Sequence, residues 1–166
     1  CAWVIYLNKH VVQKKVRQYL TAIGCLMVCW FFLRTGKYHI LLDPLGGHIC
    51  WYLYYIPMIL IPTFGLSATL LIDEAEKKTT KCITGILLFF SVVLIVCVLT
   101  NDLHQQVFRF EGPVPYSDKN YSYGILFMLI QLWIIACLVI MEILLVKKSR
   151  IPDRKRFWLP VIPGLL

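Results

Sequence analysis

The chain has 166 residues, of which 59% are hydrophobic and only 16% are charged, and its formal net charge is +8. Soluble domains usually carry about 25% charged residues, so this composition excludes an ordinary soluble domain and indicates an apolar surface that faces lipid. The positive charge does not indicate nucleic-acid binding, because the basic residues border long apolar stretches and form no separate patch.

Long apolar stretches follow one another along the chain. A bilayer core of about 30 Å requires roughly 20 apolar residues in a helix. Lipid offers no partner to backbone N–H and C=O groups, and the stretches lack the alternation of barrel strands, so each is predicted to be a helix. We expect one all-α transmembrane helix bundle over residues 1–166, cut at both ends. Its predicted spans are roughly 1–8, 18–33, 48–72, 82–100, 123–146 and 157–166.

The third predicted span begins with aromatic residues and continues with prolines. Trp51, Tyr52 and Tyr55 lie near its start, and the simpler interpretation is an aromatic belt at the membrane interface. The alternative is the wall of an outward-facing ligand pocket. Pro57 and Pro62 remove two backbone donors, so a bend is predicted and both are candidate hinge residues.

The loop after the fourth span, residues 101–113, is the richest in polar groups. Asn101 or Asp102 could cap a short interfacial helix there. Alternatively, residues 107–111 form a short strand that a Gly-Pro turn directs toward residues 120–123. The sequence does not decide between these structures.

Several imidazoles and carboxylates are predicted on the same side of the membrane as this loop: His39, Asp43, His48, Asp102 and His104. They come from different loops without the spacing of a metal site, so no metal and no cofactor are expected. For His104, the simpler interpretation is an imidazole hydrogen-bonded to the loop backbone. Nucleophile motifs and phosphate-binding loops are missing from the sequence, so the chain is not expected to be an enzyme.

Two polar residues interrupt the fifth span. Gln131 lies about a third of the way along it and is expected to form an interhelical hydrogen bond. Glu142 lies one turn before the end, where it could pair with Lys147 or reach interfacial water. Intramembrane ionisable groups are costly and usually functional, so a further role for Glu142 is the alternative.

The distribution of basic residues predicts the orientation. The gaps at 9–17, 73–81 and 147–156 hold thirteen of them, whereas the gaps at 34–47 and 101–122 hold four. By the positive-inside rule, the first three gaps are cytoplasmic and the other two are extracellular.

Three segments resemble the N-terminal seven-helix input region of bacterial sensor histidine kinases. In that family a Thr-Asn-x-Leu-His segment ends the fourth helix, and residues 99–108 of this chain match it. Residues 121–124, Tyr-Ser-Tyr-Gly, are similar to the segment that begins the fifth helix, and residues 51–57 are similar to the aromatic, proline-bearing third helix. The resemblance implies seven helices in the intact module, the bacterial cytoplasmic membrane, and an output domain outside this chain through which a homodimer forms.

We therefore expect a membrane-embedded sensory input module whose partners are the lipid bilayer and a small-molecule or peptide signal. The candidate ligand-binding residues are Trp51, Tyr52, Tyr55, Asn101, Asp102, His104, Tyr121 and Tyr123. The alternative is a fragment of a transporter or permease. A proline-broken helix supports that alternative, whereas the nearly uncharged midplane and the lack of an internal repeat do not.

Overall fold

The computed structural model describes residues 13–40, 44–72, 77–110 and 121–148. Within these ranges, four helices are long and apolar enough to cross a membrane. The prediction of a polytopic, all-α bundle is therefore confirmed. The predicted spans 1–8 and 157–166 lie outside the described residues.

The helices and strands of the described ranges follow one another in this order: α1, Lys14–Thr35; α2, Pro44–Leu53; α3, Tyr55–Leu71; α4, Lys78–Leu99; α5, Asn101–His104; β1, Phe108–Phe110; β2, Tyr121–Tyr123; α6, Ile125–Lys148. A π-helical stretch, Gly36–Ile40, continues α1. Helix α1 begins before the predicted span because lysine side chains can reach the interface while their backbone stays helical. We call the end that carries β1 and β2 the hairpin end. The end where α1 and α4 begin and α6 ends is the lysine end.

The third span is interrupted at Tyr54, between α2 and α3. Proline has no N–H, so Pro57 cannot bond the carbonyl oxygen of Leu53 four residues earlier. The break is local, because the Tyr54 N–H still donates to the Cys50 carbonyl oxygen at 3.1 Å and the Met58 N–H donates to that of Tyr54 at 3.3 Å. Pro62 lies inside α3, which continues through it. Of the two candidate hinge residues, Pro57 therefore accompanies a break and Pro62 is accommodated within a helix.

Helix α3 lies at the centre of the described bundle, where it contacts α1, α4 and α6. Its buried residues include Ile59, Thr63 and Leu66. Large apolar side chains such as Phe89 of α4 and Met128 of α6 are instead exposed. A bundle in lipid has this arrangement, because its outer helices present apolar surface to the bilayer.

A small polar network joins the three central helices. The hydroxyl oxygens of Thr63 in α3 and Ser91 in α4 lie 2.8 Å apart, and both residues are fully buried. Trp133 of α6 directs its indole Nε1–H toward both, at 3.2 Å from Ser91 Oγ and 3.4 Å from Thr63 Oγ1. Hydrogen bonds between transmembrane helices hold them in a fixed relation, so this network sets how α3, α4 and α6 meet.

At the lysine end, Lys148 of α6 caps the final turn of α3. Its Nζ donates to the carbonyl oxygens of Thr69 at 2.9 Å, Leu70 at 3.2 Å and Ile72 at 2.7 Å. The last carbonyl groups of a helix have no hydrogen-bond donor within the helix and carry partial negative charge. An ammonium group supplies both the missing donors and a compensating positive charge.

Candidate functional site at the hairpin end

The loop that follows α4 forms both of the structures that the sequence left as alternatives. A single helical turn, α5, ends at Gln105, whose φ of 48° lies in the left-handed region. The chain then enters β1, which pairs antiparallel with β2 so that Phe108 is opposite Tyr123 and Phe110 is opposite Tyr121. The left-handed residue ends the helical turn and redirects the chain into the strand.

Phe108 of this hairpin fills the space beside the aromatic residues of the third span. Its side chain is fully buried. Its ring centroid lies 4.6 Å from that of Trp51, 5.4 Å from that of Tyr55 and 5.9 Å from that of Phe127. Trp51 and Tyr55, predicted to form a ligand-binding wall, thus pack against a side chain of the same molecule.

Asn101 binds the backbone of the hairpin through its side chain. Its side chain is fully buried, and its Oδ1 accepts hydrogen bonds from the backbone N–H groups of Val107 at 2.9 Å and Phe108 at 3.0 Å. Its Nδ2 donates to the Phe108 carbonyl oxygen at 2.9 Å and to the Tyr52 hydroxyl at 3.1 Å. These four bonds use the full capacity of a carboxamide, so Asn101 organises the loop and offers nothing to a solute.

Asp102 forms a latch between α5 and α2. Its Oδ1 accepts from the Tyr52 hydroxyl at 2.5 Å and lies 3.3 Å from His48 Nε2. The His48 side chain is only 10% exposed, whereas that of Asp102 is 48% exposed. The carboxylate can therefore hold the third span on one side and meet a solute on the other. Asp43 lies outside the described residues, and the side chain of His39 is not among those described.

His104 is held by the loop backbone. Its Nδ1 accepts from the Gln106 N–H at 3.0 Å, which leaves the proton of a neutral ring on Nε2. That nitrogen lies 3.0 Å from the Cys97 carbonyl oxygen and 3.5 Å from Thr100 Oγ1. Both ring nitrogens therefore have protein partners, the arrangement that the simpler interpretation of this residue expects.

Tyr121 and Tyr123 of β2 form the outer layer of the cluster. The Tyr121 ring packs edge-on against Trp51 at 4.8 Å, and the Tyr123 ring stacks on Phe127 at 4.1 Å. The two hydroxyl oxygens lie 3.3 Å apart. This hydrogen bond, followed by burial, raises the pKa of Tyr121 to about 12. Lys37 Nζ sits 4.4 Å from the centroid of Trp51, a distance at which a cation is attracted to an aromatic face.

The hairpin loop also supports the start of α6. The Gly124 N–H donates to the Val107 carbonyl oxygen at 2.9 Å, and the Leu126 N–H donates to that of Gln106 at 3.2 Å. A Cβ at position 124 would collide with the Gln106 carbonyl oxygen, so only glycine fits there. The loop thereby satisfies amides at the N-terminus of a helix that would otherwise have no partner.

The intramembrane polar residues chosen from the sequence are not the ones that connect the helices. Gln131 is half-buried and shows no interhelical hydrogen bond among the described residues. Glu142 Oε1 is buried and has no hydrogen-bond partner among the described residues. Sequence reasoning missed Phe108, Thr63, Ser91 and Trp133 as key residues, and it treated Lys148 only as a charge at a membrane border.

A family model described as the N-terminal 7TM region of histidine kinase matches residues 1–161. Its match covers the hairpin and every membrane-spanning helix that the structure describes. No curated protein and no solved structure matches the chain.

Proposed function

Because the chain belongs to the family formed by the N-terminal 7TM region of histidine kinases, a non-catalytic sensory input region in the membrane, we propose that it detects its signal at the hairpin end. The observation that carries this proposal is the complete burial of Phe108 in the aromatic pocket of the third span. The hairpin occupies the place where a ligand would bind. Release of the hairpin is therefore the event that a signal must favour.

Two arrangements of the hairpin explain how binding is converted into a signal. In the described one, Phe108 is seated and the Asp102 latch is closed. In the other, Phe108 leaves and its pocket accepts an apolar group of a small molecule or peptide. A ligand shifts such an equilibrium only by its difference in affinity for the two arrangements. An aromatic pocket beside a half-exposed carboxylate favours a signal with an apolar body and a cationic group.

The break at Tyr54 gives this movement a path into the bundle. Helix α2 carries Trp51 and Tyr52, which hold the hairpin, and α3 carries Thr63, which bonds α4 and α6. If Phe108 left its position against Trp51, α2 would move relative to α3. The hydrogen bonds among Thr63, Ser91 and Trp133 would then transmit that movement to α6. The output would be a histidine kinase domain outside this chain, acting as a homodimer.

The proposed orientation places the lysine end in the cytoplasm of a bacterial cell and the hairpin end outside. The excess of basic residues at the lysine end supports it. Single cysteines introduced at Arg109 and Lys78, both exposed, test it. In a background without native cysteines, a membrane-impermeant maleimide should label position 109 in intact cells and position 78 only after lysis. The opposite pattern would invert the topology.

The transporter alternative gains no specific support. The buried hydroxyls of Thr63 and Ser91 bond each other and Trp133, so among the described residues they form a closed contact between α3, α4 and α6.

The Phe108→Ala variant of the full-length receptor tests the sensory proposal, with Leu103→Ala as its matched control. Leu103 belongs to the same loop but is 87% exposed. Autophosphorylation in membrane vesicles without added signal should change severalfold for Phe108→Ala and stay at the wild-type level for Leu103→Ala. Equal autophosphorylation rates for the two variants would show that the burial of Phe108 is not coupled to the kinase.

A further inference from the structure

A groove of about 520 Å³ opens at the lysine end, far from the hairpin, and is lined by α1, α3 and α4. Helices α1 and α4 both begin at this end, so they run in the same direction and their successive turns lie at matching depths in the membrane. Phe64 and Leu71 of α3 form an apolar back wall. The volume is that of a small-molecule site.

Two lysines stand at the mouth of the groove, Lys15 of α1 and Lys81 of α4. Both already interact with other groups of the protein. An anionic ligand would have to compete with these groups for the ammonium charges. Selection of an occupant by its charge is therefore disfavoured, and recognition has to come from the next turn of the groove.

Thr84, one helical turn inside Lys81, has a hydroxyl without a partner. The buried threonines Thr63 and Thr69 of α3 donate their hydroxyls to the carbonyl oxygens four residues earlier, both at 2.9 Å. The Thr84 side chain is only 6% exposed, yet its Oγ1 has no hydrogen-bond partner in the part of the chain that the structure describes. A buried hydroxyl in this condition is unfavourable, so a ligand that offered it an acceptor would be stabilised.

The Thr84 hydroxyl can be presented to the groove by a simple rotation. The side chain lines the groove, and rotation about its Cα–Cβ bond exchanges the methyl group with the hydroxyl. Threonine in a helix populates two such rotamers, so the rotation costs little. The groove therefore supplies one uncharged hydrogen-bond donor just inside its mouth.

Small residues leave the level beside Thr84 open. A Cβ added at Gly85 would meet no atom within 4 Å, and α1 contributes only the methyl group of Ala22 to its side of the groove at the next depth. Beyond them the groove continues between Leu88 and Phe64. This space suits an acyl chain, which needs room and apolar contact but no hydrogen bond.

We propose that this groove binds an ester-linked chain of a bilayer lipid, whatever the charge of its head group. The Thr84 hydroxyl donates to the ester carbonyl oxygen, and the acyl chain lies beside Gly85. Lysine ammonium groups reach outward to the head-group layer, and the ester linkages of a lipid lie just inside that layer. The depth of Thr84, one turn inside Lys81, therefore matches the depth of an ester carbonyl.

Other occupants satisfy the groove less well. A plain hydrocarbon chain would leave the Thr84 hydroxyl without an acceptor. A helix of a second protein would also offer none, because its carbonyl oxygens are already used by its own N–H groups. The proposal concerns the lysine end alone and does not depend on what the hairpin end detects.

Native mass spectrometry of the full-length receptor in detergent tests the carbonyl contact. The probes are dioleoylphosphatidylcholine and its dioleyl ether analogue, which share the head group and the chain length but differ in the ester carbonyls. The wild type should bind the ester lipid about fivefold more tightly, which is the effect of one hydrogen bond. The phosphatidylglycerol pair should give the same ratio, because the head group takes no part. Equal binding of ester and ether lipids in either pair would overturn the proposal.

Variants of Thr84 assign the preference to its hydroxyl. Thr84→Val keeps the shape of the side chain and should abolish the preference for the ester lipid, whereas Thr84→Ser keeps a hydroxyl and should retain it. The matched control is Thr80→Val, because Thr80 is equally buried in the same helix but does not line the groove. A preference that persists in Thr84→Val, or that is lost equally in Thr80→Val, would overturn the proposal.

The Gly85→Leu variant tests the acyl-chain contact. Open space at Gly85 means that the folded bundle accepts the side chain. Binding of both lipids should therefore fall severalfold while the thermal unfolding temperature stays near that of the wild type. Unchanged binding together with a lower unfolding temperature would show that protein already fills the groove, and would overturn the proposal. Since no kinase output is measured, failure here is distinguishable from failure of the sensory proposal.

Discussion

The side chain of Asn101 binds both backbone polar groups of Phe108, with Oδ1 3.0 Å from the Phe108 nitrogen and Nδ2 2.9 Å from its carbonyl oxygen. One carboxamide thus takes the place of a neighbouring strand at the residue whose ring fills the aromatic pocket. The position of Phe108 is fixed through its backbone as well as its ring.

Asn101→Asp should destabilise the protein more than other substitutions in this loop. The new carboxylate keeps an acceptor for the amides of Val107 and Phe108 but loses both Nδ2 donors and places an oxygen against the Phe108 carbonyl oxygen. Loss of buried hydrogen bonds of this kind costs about 2–4 kcal/mol in total. Unfolding in mixed micelles should report the loss, and Leu103→Ala should stay within about 0.5 kcal/mol of the wild type. A wild-type value for Asn101→Asp would refute the structural role.

Asp102→Ala and Asp102→Asn should separate the latch from the charge. Alanine removes the acceptor of the Tyr52 hydroxyl and of His48 Nε2, whereas asparagine keeps an acceptor at the Oδ1 position. The half-exposed latch contributes about 1 kcal/mol after allowance for solvent screening. Limited proteolysis of the hairpin should therefore accelerate about fivefold for alanine and little for asparagine. Equal proteolysis rates for the two variants would mean that the negative charge of Asp102, which both variants lack, is what matters and not its role as a hydrogen-bond acceptor.

Trp133→Phe should loosen the contact among α3, α4 and α6. The substitution keeps an aromatic ring but removes the indole N–H that reaches Ser91 and Thr63. Interhelical hydrogen bonds in membranes contribute about 0.6 kcal/mol each, so a loss of about 1 kcal/mol is expected. Leu132→Phe, at a neighbouring position that is 64% exposed, is the control for the same measurement. A change no larger than in this control would mean that packing alone holds the three helices.

Lys148→Gln should fray the last turn of α3, whereas Lys147→Gln should not. Lys148 caps three carbonyl groups, and the neighbouring Lys147 is exposed. A cation at a helix C-terminus contributes about 0.3–1 kcal/mol, and up to about 2 kcal/mol where it is partly buried. Hydrogen exchange at residues 69–72 should accelerate in the first variant only. Equal exchange in both variants would exclude the cap.

Tyr123→Phe should lower the pKa of Tyr121 from about 12 toward its ordinary value, because it removes the hydrogen bond that raises it most. The pKa of Tyr121 is raised in the folded state, so its contribution to hairpin stability is complete below pH 10 and is lost as the pH rises through about 12. NMR of tyrosine labelled with carbon-13 at the ring hydroxyl carbon should resolve this titration. An unchanged pKa in the variant would attribute the shift to burial.

The bundle was predictable because it depends on quantities that a sequence displays directly. Apolar length, the borders set by lysines, and proline near the start of the third span can each be counted along the chain. The break at Tyr54 also follows from a local rule, since Pro57 acts on the carbonyl four residues before it.

Several residues of the candidate site could be predicted from the sequence, but what they contact could not. Trp51, Tyr52 and Asn101 do meet, but they contact the hairpin of the same chain. That outcome depends on the direction of the Phe108 side chain after the left-handed turn at Gln105. The spacing of apolar residues in the sequence does not predict this direction. The Thr63, Ser91 and Trp133 network likewise requires the relative rotation of three helices, which composition does not specify.

The bonds from the hairpin loop to Gly124 and Leu126 tie the length of α6 to the position of the hairpin. If the hairpin left its seat, these two amides would lose their acceptors and the first turn of α6 would be free to unwind. Sensing would then be encoded as the number of helical turns in the fifth span, a quantity that needs no rigid tilt of the bundle. Infrared difference spectra of the amide band, recorded with and without signal, would show the accompanying loss of helical content.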